Sequence, residues 1–213
     1  AGFNKEHLDS IAACGDVNRN VVCSAHPMQS PIHQQIFEYA DKISTLLLPK
    51  TRAWYEVWLD DEKIIDKKEE EDPLYGKTYL PRKFKIAIAI PPNNDVDVLA
   101  NDIGLIAVVE NNELKGFNIA VGGGMSATHG NASTYPRVAS IIGFADSEEK
   151  TLKAVYEIVT IQRDYGNRSD RKLARLKYTI DNNGLDWFVQ ELERRCGFAL
   201  RPAREQIFNQ RID

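Results

Sequence analysis

The sequence predicts an α+β fold, a mixed or antiparallel sheet with helices layered on it. Three observations carry that expectation. Strand-sized apolar runs such as IAIAIPP and IGLIAVV lie in the earlier part of the chain. Long helical patterns cluster after Gly124. The connections between them are mixed, not a strict alternation of strand and helix, which favours helices packed on one sheet.

Residues 5–13 fit a short helix that stops before Gly15. In PIHQQIFEYADKISTLLLP, Ile32, Ile36, Tyr39, Ile43 and Leu47 recur at helical spacing between Pro31 and Pro49. WYEVWLD, 54–60, is rich in strand formers, and DKKEEEDP, 66–73, reads as a charged loop. Strands are expected at 84–90, 104–110 and 117–121, with Asn94, Asp95 and Asn112 in turns. EEKTLKAVYEIVTIQRDYG forms a long amphipathic helix, burying Leu152, Val155 and Val159. A second helix is expected over 169–179 and a third over 184–195, capped by Asp181 or Asn183.

The 213 residues carry 27 Lys and Arg against 31 Asp and Glu, a net charge of -4. That balance gives no general case for nucleic-acid binding, so an anion site has to be local. No apolar run is long enough to span a bilayer, and the start lacks a signal-peptide layout. Cys14, Cys23 and Cys196 are too few and scattered for a secreted disulfide framework, which favours the cytoplasm.

Four segments can carry chemistry. In CGDVNRNVVC, 14–23, the cysteine spacing matches no zinc knuckle and fits two small buried thiols. Its Arg19, flanked by Asn18 and Asn20, offers directed donors to a carboxylate or oxyanion; a plain turn is the alternative. In YLPRKFK, 79–85, an extended backbone puts Lys83 and Lys85 on one face and Arg82 on the other. Two ammonium groups on one face serve either a bound anion or a protected sheet edge. GFNIAVGGGMSATHG, 116–130, matches neither GxGxxG nor a phosphate loop. Its Gly122, Gly123 and Gly124 suit a tight strand exit, with or without a flat ligand beside it. His129 has no ligand partner at metal spacing. In QRDYGNRSDRKLARLKY, 162–178, a helix would align Arg168, Arg171 and Arg175 on one face near Lys177. Such a row suits a cofactor with several carboxylates, or a solvent face balanced by acidic loops.

Together DVNRNV, TYLPRKFK, PPNNDVDVLANDIG, GFNIAVGGGM and YGNRSDRKLARLKYTI resemble the siroheme-dependent sulfite and nitrite reductases. The resemblance runs from Ala12 to about Pro202. Lys85 in PRKFK is similar to the sulfite-reducing branch, since the nitrite-reducing branch usually reads PRKWN. HGN at 129–131 and the QRDYGNR region are most similar to the hemoprotein (beta) subunit of the NADPH-dependent assimilatory enzyme.

The resemblance implies six-electron reduction of sulfite to sulfide at siroheme coupled to a [4Fe–4S] cluster through a shared cysteine thiolate. It implies Arg19, Lys83 and Lys85 around the bound oxyanion. Asn18, Asn20, Gly122, Gly123, Gly124, Met125, Arg168, Arg171, Arg175 and Lys177 fall in segments that line or support siroheme. Residues 1–213 would then form a siroheme-binding domain of a longer chain, with 1–80 including a linker and helical segment before the main sheet. The implied partners are the remaining domains of that chain, sulfite, and an NADPH-flavoprotein or ferredoxin electron donor, without nucleic acid or membrane.

One departure stands out. The family ligates its cluster with two short-spaced cysteine pairs, and the three cysteines here do not form them. The expectation is therefore an internal fragment that folds, binds no cluster and has no activity alone. The alternatives are a nitrite reductase domain, a non-catalytic scaffold of the same fold, and an RNA-binding domain using Arg168–Lys177.

Overall fold

The computed structural model describes residues 16–24, 26–50, 58–59, 62–63, 71–206 and 208. Its centre is a five-stranded mixed sheet: β1 (Asn18–Val22), β4 (Phe84–Ala89), β5 (Ile103–Glu110), β6 (Glu113–Val121) and β7 (Ser140–Ala145). Strands β1, β4 and β5 run parallel, whereas β5, β6 and β7 are antiparallel. A small antiparallel pair, β2 (Trp58–Leu59) and β3 (Glu62–Lys63), stands apart. The helices are α1 (Pro31–Leu46), α2 (Glu148–Tyr165), α3 (Leu176–Asn183) and α4 (Leu185–Cys196).

The alternation within the strands assigns the two faces. Phe84, Ile86 and Ile88 of β4 join Ile103, Leu105, Phe117 and Ile119 beneath the helices. The opposite face carries Ala87, Ala89 and Ile106, covered by Val98 and Phe208. Central β5 is buried on both faces over its first six residues, hence its continuous apolar run. Asn111 and Asn112, with φ of 52° and 60°, make the two-residue turn into β6.

Helix α1 buries Ile32, Ile36, Ala40 and Ile43, and Ser30 caps it by accepting the His33 N–H. Helix α2 is capped by Ser147 with Glu148 and Glu149 in its first turn, where carboxylates oppose the helix dipole. An ionic network joins α2 to α4: Arg195 reaches Glu191 at 2.7 Å, Asp164 at 2.8 Å and Thr160 at 2.9 Å. The Arg194 and Arg195 guanidiniums hold the Glu191 carboxyl down to about 2. Its contribution to stability is thus present above the ordinary value near 4.5 and lost as pH falls towards about 2. In acid melts over that window, Glu191→Gln is expected to flatten the fall of Tm seen in the parent chain. An unchanged slope would remove Glu191 from the account.

Several expectations change. Strand β1 is part of the main sheet, although its NRN also reads as a plain turn. The second helix does not span 169–179: Arg171–Leu173 is a single 3-10 turn and α3 begins at Leu176. Asp181 and Asn183 lie inside α3 and cap nothing, because Gly184 with φ 94° makes the junction to α4. Strand β7 was not expected. The helix at 5–13, Cys14 and most of 54–60 and 66–73 lie outside the described residues.

Candidate functional site

The N-terminal ends of the parallel strands and the C-terminal end of β6 meet at one edge of the sheet, and basic residues gather there. The pairing of β1 with β4 shifts register between Asn18 and Asn20, leaving Arg19 on a bulge. Bulges commonly re-aim a side chain out of the strand's regular alternation. Lys83 and Lys85, two apart at the head of β4, lie on the Ala87 and Ala89 face away from the helices. Arg19 is the largest influence lowering the Lys83 ammonium below its ordinary value, followed by desolvation, Arg82, Lys85 and Arg175. Five cations therefore share one electrostatic neighbourhood. Among the described residues, neither Lys83 nor Lys85 has a carboxylate within ion-pair distance.

The counter-charge within this cluster is Asp102, only 1% exposed. Its Oδ1 accepts from Arg175 Nη2 at 3.1 Å and Nε at 3.3 Å, and its Oδ2 accepts the Lys85 backbone N–H at 3.1 Å. Burial pushes its carboxyl up, and Arg175 opposes that shift. Sequence reasoning did not single out Asp102. The available signal was one acid at the entry to a continuous apolar strand, where an unpaired charge would be costly.

The expected arginine row divides. Arg168 donates to the carbonyls of Thr78, Tyr79 and Arg163, holding the chain segment that leads into PRKFK. Arg171 makes a bidentate pair with Asp16 at 2.7 and 2.8 Å. Lys177 is fully buried and donates to the carbonyls of Gly124, Ser126 and Tyr135. Burial lowers its ammonium, with Arg175 adding to the effect. Only Arg175 faces the cation cluster through Asp102. No helix aligns the row, because the backbone runs from loop to 3-10 turn to helix cap across these residues.

Gly122, Gly123 and Gly124 are buried, and protein atoms explain all three: Gly122 has φ 79°, and a Cβ there would stand 2.7 Å from both Arg137 Nη1 and Ile180 Cδ1. A Cβ on Gly123 would stand 2.2 Å from the Leu99 carbonyl oxygen, and one on Gly124 would stand 2.6 Å from Arg175 Nη1. Both glycines let the strand exit lie against its neighbours, a supporting role beneath the site. Met125 is 57% exposed at the start of the loop that follows. Asn18 has a buried Oδ1 without a hydrogen-bond partner among the described residues, while its N–H donates to the Tyr75 hydroxyl at 3.0 Å. Asn20 is exposed beside Arg19. Beyond Arg175, an open groove of about 420 Å³ is lined by Arg82, Ser126, Thr128, Arg171 and Lys172.

Comparison with known proteins decides the family. The model of the nitrite and sulphite reductase 4Fe-4S domain matches residues 38–200. The chain belongs to the nitrite and sulphite reductase family. Named "Sulfite reductase [NADPH] hemoprotein beta-component", a Leptospira biflexa protein is 58% identical over 211 residues. That match covers 99% of this chain and 38% of the relative. The Oceanobacillus iheyensis protein of the same name is 52% identical over 212 residues, covering 100% of this chain and 37% of the relative. The chain thus spans well under half the length of these curated relatives. Among solved structures, the Mycobacterium tuberculosis NirA protein matches with a TM-score of 0.61 and 23% identity. That match covers 91% of this chain and 30% of NirA, and supports the fold.

Within this reductase-family chain, the residues fit one family cofactor and not the other. Convergent cations, with Asp102 as internal counter-charge, suit a group bearing several carboxylates. A cubane cluster held by four thiolates needs four cysteines, and the chain has three. Of these, Cys23 and Cys196 pack against the core, and burial pushes the Cys196 thiol up to about 12. A metal-binding thiolate needs the opposite shift.

Proposed function

We propose that this chain is part of a siroheme-dependent sulfite reductase and supplies the cations that hold siroheme and sulfite. The observation that carries the reading is the convergence of Arg19, Lys83, Lys85 and Arg175 at one sheet edge. Siroheme, when bound, would relay to sulfite the electrons that the external donor provides. Arg19, Lys83 and Lys85 hold the oxyanion, with Arg19 reaching in from its bulge. Point charges fixed before the reaction lower the cost of charge that accumulates on the sulfur oxygens. Lys83 also serves as a proton donor, because a depressed ammonium gives up its proton more readily at neutral pH. Asn18, Asn20, the glycines 122–124, Met125, Arg168, Arg171 and Lys177 complete or support the cofactor wall.

The cluster and the thiolates that would hold it belong to other parts of the whole protein in this reading. The electron donor is an NADPH-flavoprotein, with ferredoxin the alternative. No helix among the described residues is long and apolar enough to cross a membrane, and the enzyme works in the cytoplasm. The test is to purify the full-length protein, identify siroheme by its absorption and extraction, and compare dye-linked turnover of sulfite and nitrite. Siroheme with preferential sulfite turnover is the expected result; preferential nitrite turnover would transfer the reading to the nitrite branch.

Arg19 acts on Lys83 through its charge, the main reason the Lys83 ammonium is depressed. Arg19→Gln is therefore expected to move the Lys83 titration to higher pH, read by NMR of the lysine side chains. A titration that stays in place or moves lower would separate Arg19 from Lys83.

A further inference from the structure

We infer that Asp102 is a positioning residue that fixes the cations of the anion site relative to one another. One buried carboxylate ties the strand carrying Lys83 and Lys85 to the guanidinium of Arg175. The inference deepens the sulfite reading and rests on it.

The hydrogen bonds make Asp102 a junction of four elements. Its two carboxylate oxygens take different partners, Arg175 on one side and the Lys85 N–H on the other. Its own carbonyl accepts the Gly122 N–H at 2.9 Å. Those bonds join the head of β4, the entry to β5, the exit of β6 and the cap of α3. The Lys85 contact falls one residue before the β4–β5 ladder opens at Ile86 opposite Ile103. The carboxylate thus takes the place of the next ladder acceptor. It orients the strand at the residue whose side chain enters the site.

Arg175 is fixed just as fully. Beyond Asp102 it donates to the Gly123 carbonyl at 3.1 Å and the Ser126 hydroxyl at 3.4 Å. With Asp102 ionised, the Arg175 charge is matched inside the protein, and Lys83 and Lys85 face the anion. An amide at 102 would accept from one side only and cancel no charge. Arg175 would then add an uncompensated, loosely held cation to the cluster. Anions would bind at least as well, but in less productive positions.

That difference separates positioning from mere support of the fold. In the full-length protein, Asp102→Asn is expected to lower sulfite kcat per bound siroheme about tenfold, with KM unchanged or lower. Asp102→Glu, which keeps the charge on a longer arm, is expected to recover part of that kcat per bound siroheme but not all of it. A kcat per siroheme for Asp102→Asn within about twofold of the parent overturns the inference. A second readout needs neither a folded variant nor turnover: amide hydrogen exchange of Lys85 in the parent protein, with and without added sulfite. Strong protection that changes with sulfite is expected. Exchange as fast as an exposed loop amide overturns the inference even if Asp102→Asn does not fold. If the parent protein lacks siroheme and sulfite turnover, the sulfite reading fails by itself, and Lys85 exchange still judges the Asp102 frame.

Discussion

Lys83→Ala in the full-length protein is expected to lower sulfite turnover by about 10²–10³-fold, the scale on which a preorganised electrostatic contact acts. Two functions vanish with that side chain. One is a point charge placed before sulfite arrives, and the other is a proton on an amine made more acidic by its neighbours. Lys83→Arg separates them. A guanidinium keeps the charge but does not give up its proton in a protein, so sulfite KM should return towards the parent value while kcat stays low. Steady-state kinetics at several sulfite concentrations, normalised to siroheme content, measure both parameters. Full kcat in Lys83→Arg would remove proton donation from the account and leave charge alone. Lys83→Ala retaining more than about a tenth of parent turnover would remove Lys83 from the site altogether.

The same residues mark where sequence reasoning reached and where it stopped. Helices α1 and α2 and strands β4, β5 and β6 were legible because their apolar positions keep a clean period against one core. The division of Lys83 and Lys85 from Phe84 was legible for the same reason, since strand alternation alone puts them on opposite faces. Strand β7 was not, because residues 140–145 include Gly143 and an exposed Ile141, leaving little alternation to read. Strand β1 hid behind its polar residues: NRN looks like a turn, yet it pairs in parallel with β4 around a bulge. The arginine row failed on a different point. Regular spacing predicted one helix face, but Asp170 caps a 3-10 turn and Arg175 caps a new helix. Each basic side chain then found its own partners. Asp102 stands out only as one acid at the entry to an apolar strand, and its partner, Arg175, lies 73 positions away.

Lys177→Met is expected to destabilise the chain by about 3 kcal/mol, the scale for removing one partner from a buried polar set. Methionine nearly preserves the length and apolar volume of the lysine stem, so packing changes little and the loss reports the ammonium. That ammonium donates to three backbone carbonyls, those of Gly124, Ser126 and Tyr135, of which Gly124 also accepts the Arg137 N–H at 3.0 Å. It also lies 4.9 Å from the ring centroid of Tyr178 and 5.6 Å from that of Tyr135, contacts that a neutral thioether weakens. Lys177→Arg tests geometry rather than charge. A planar fork cannot reproduce three convergent donors from one nitrogen, so it should recover only part of the loss. Denaturant midpoints at constant m-value give the difference directly. A loss below about 1 kcal/mol for Lys177→Met would mean that water replaces the ammonium at those carbonyls. The loop from Gly124 to Tyr135 would then be held by Thr134 and Arg137 instead. On the expected result, a lysine that resembles a cofactor ligand in sequence acts one layer below the site. It anchors the loop that leaves the triple glycine, while Arg175, two residues earlier, turns towards Asp102.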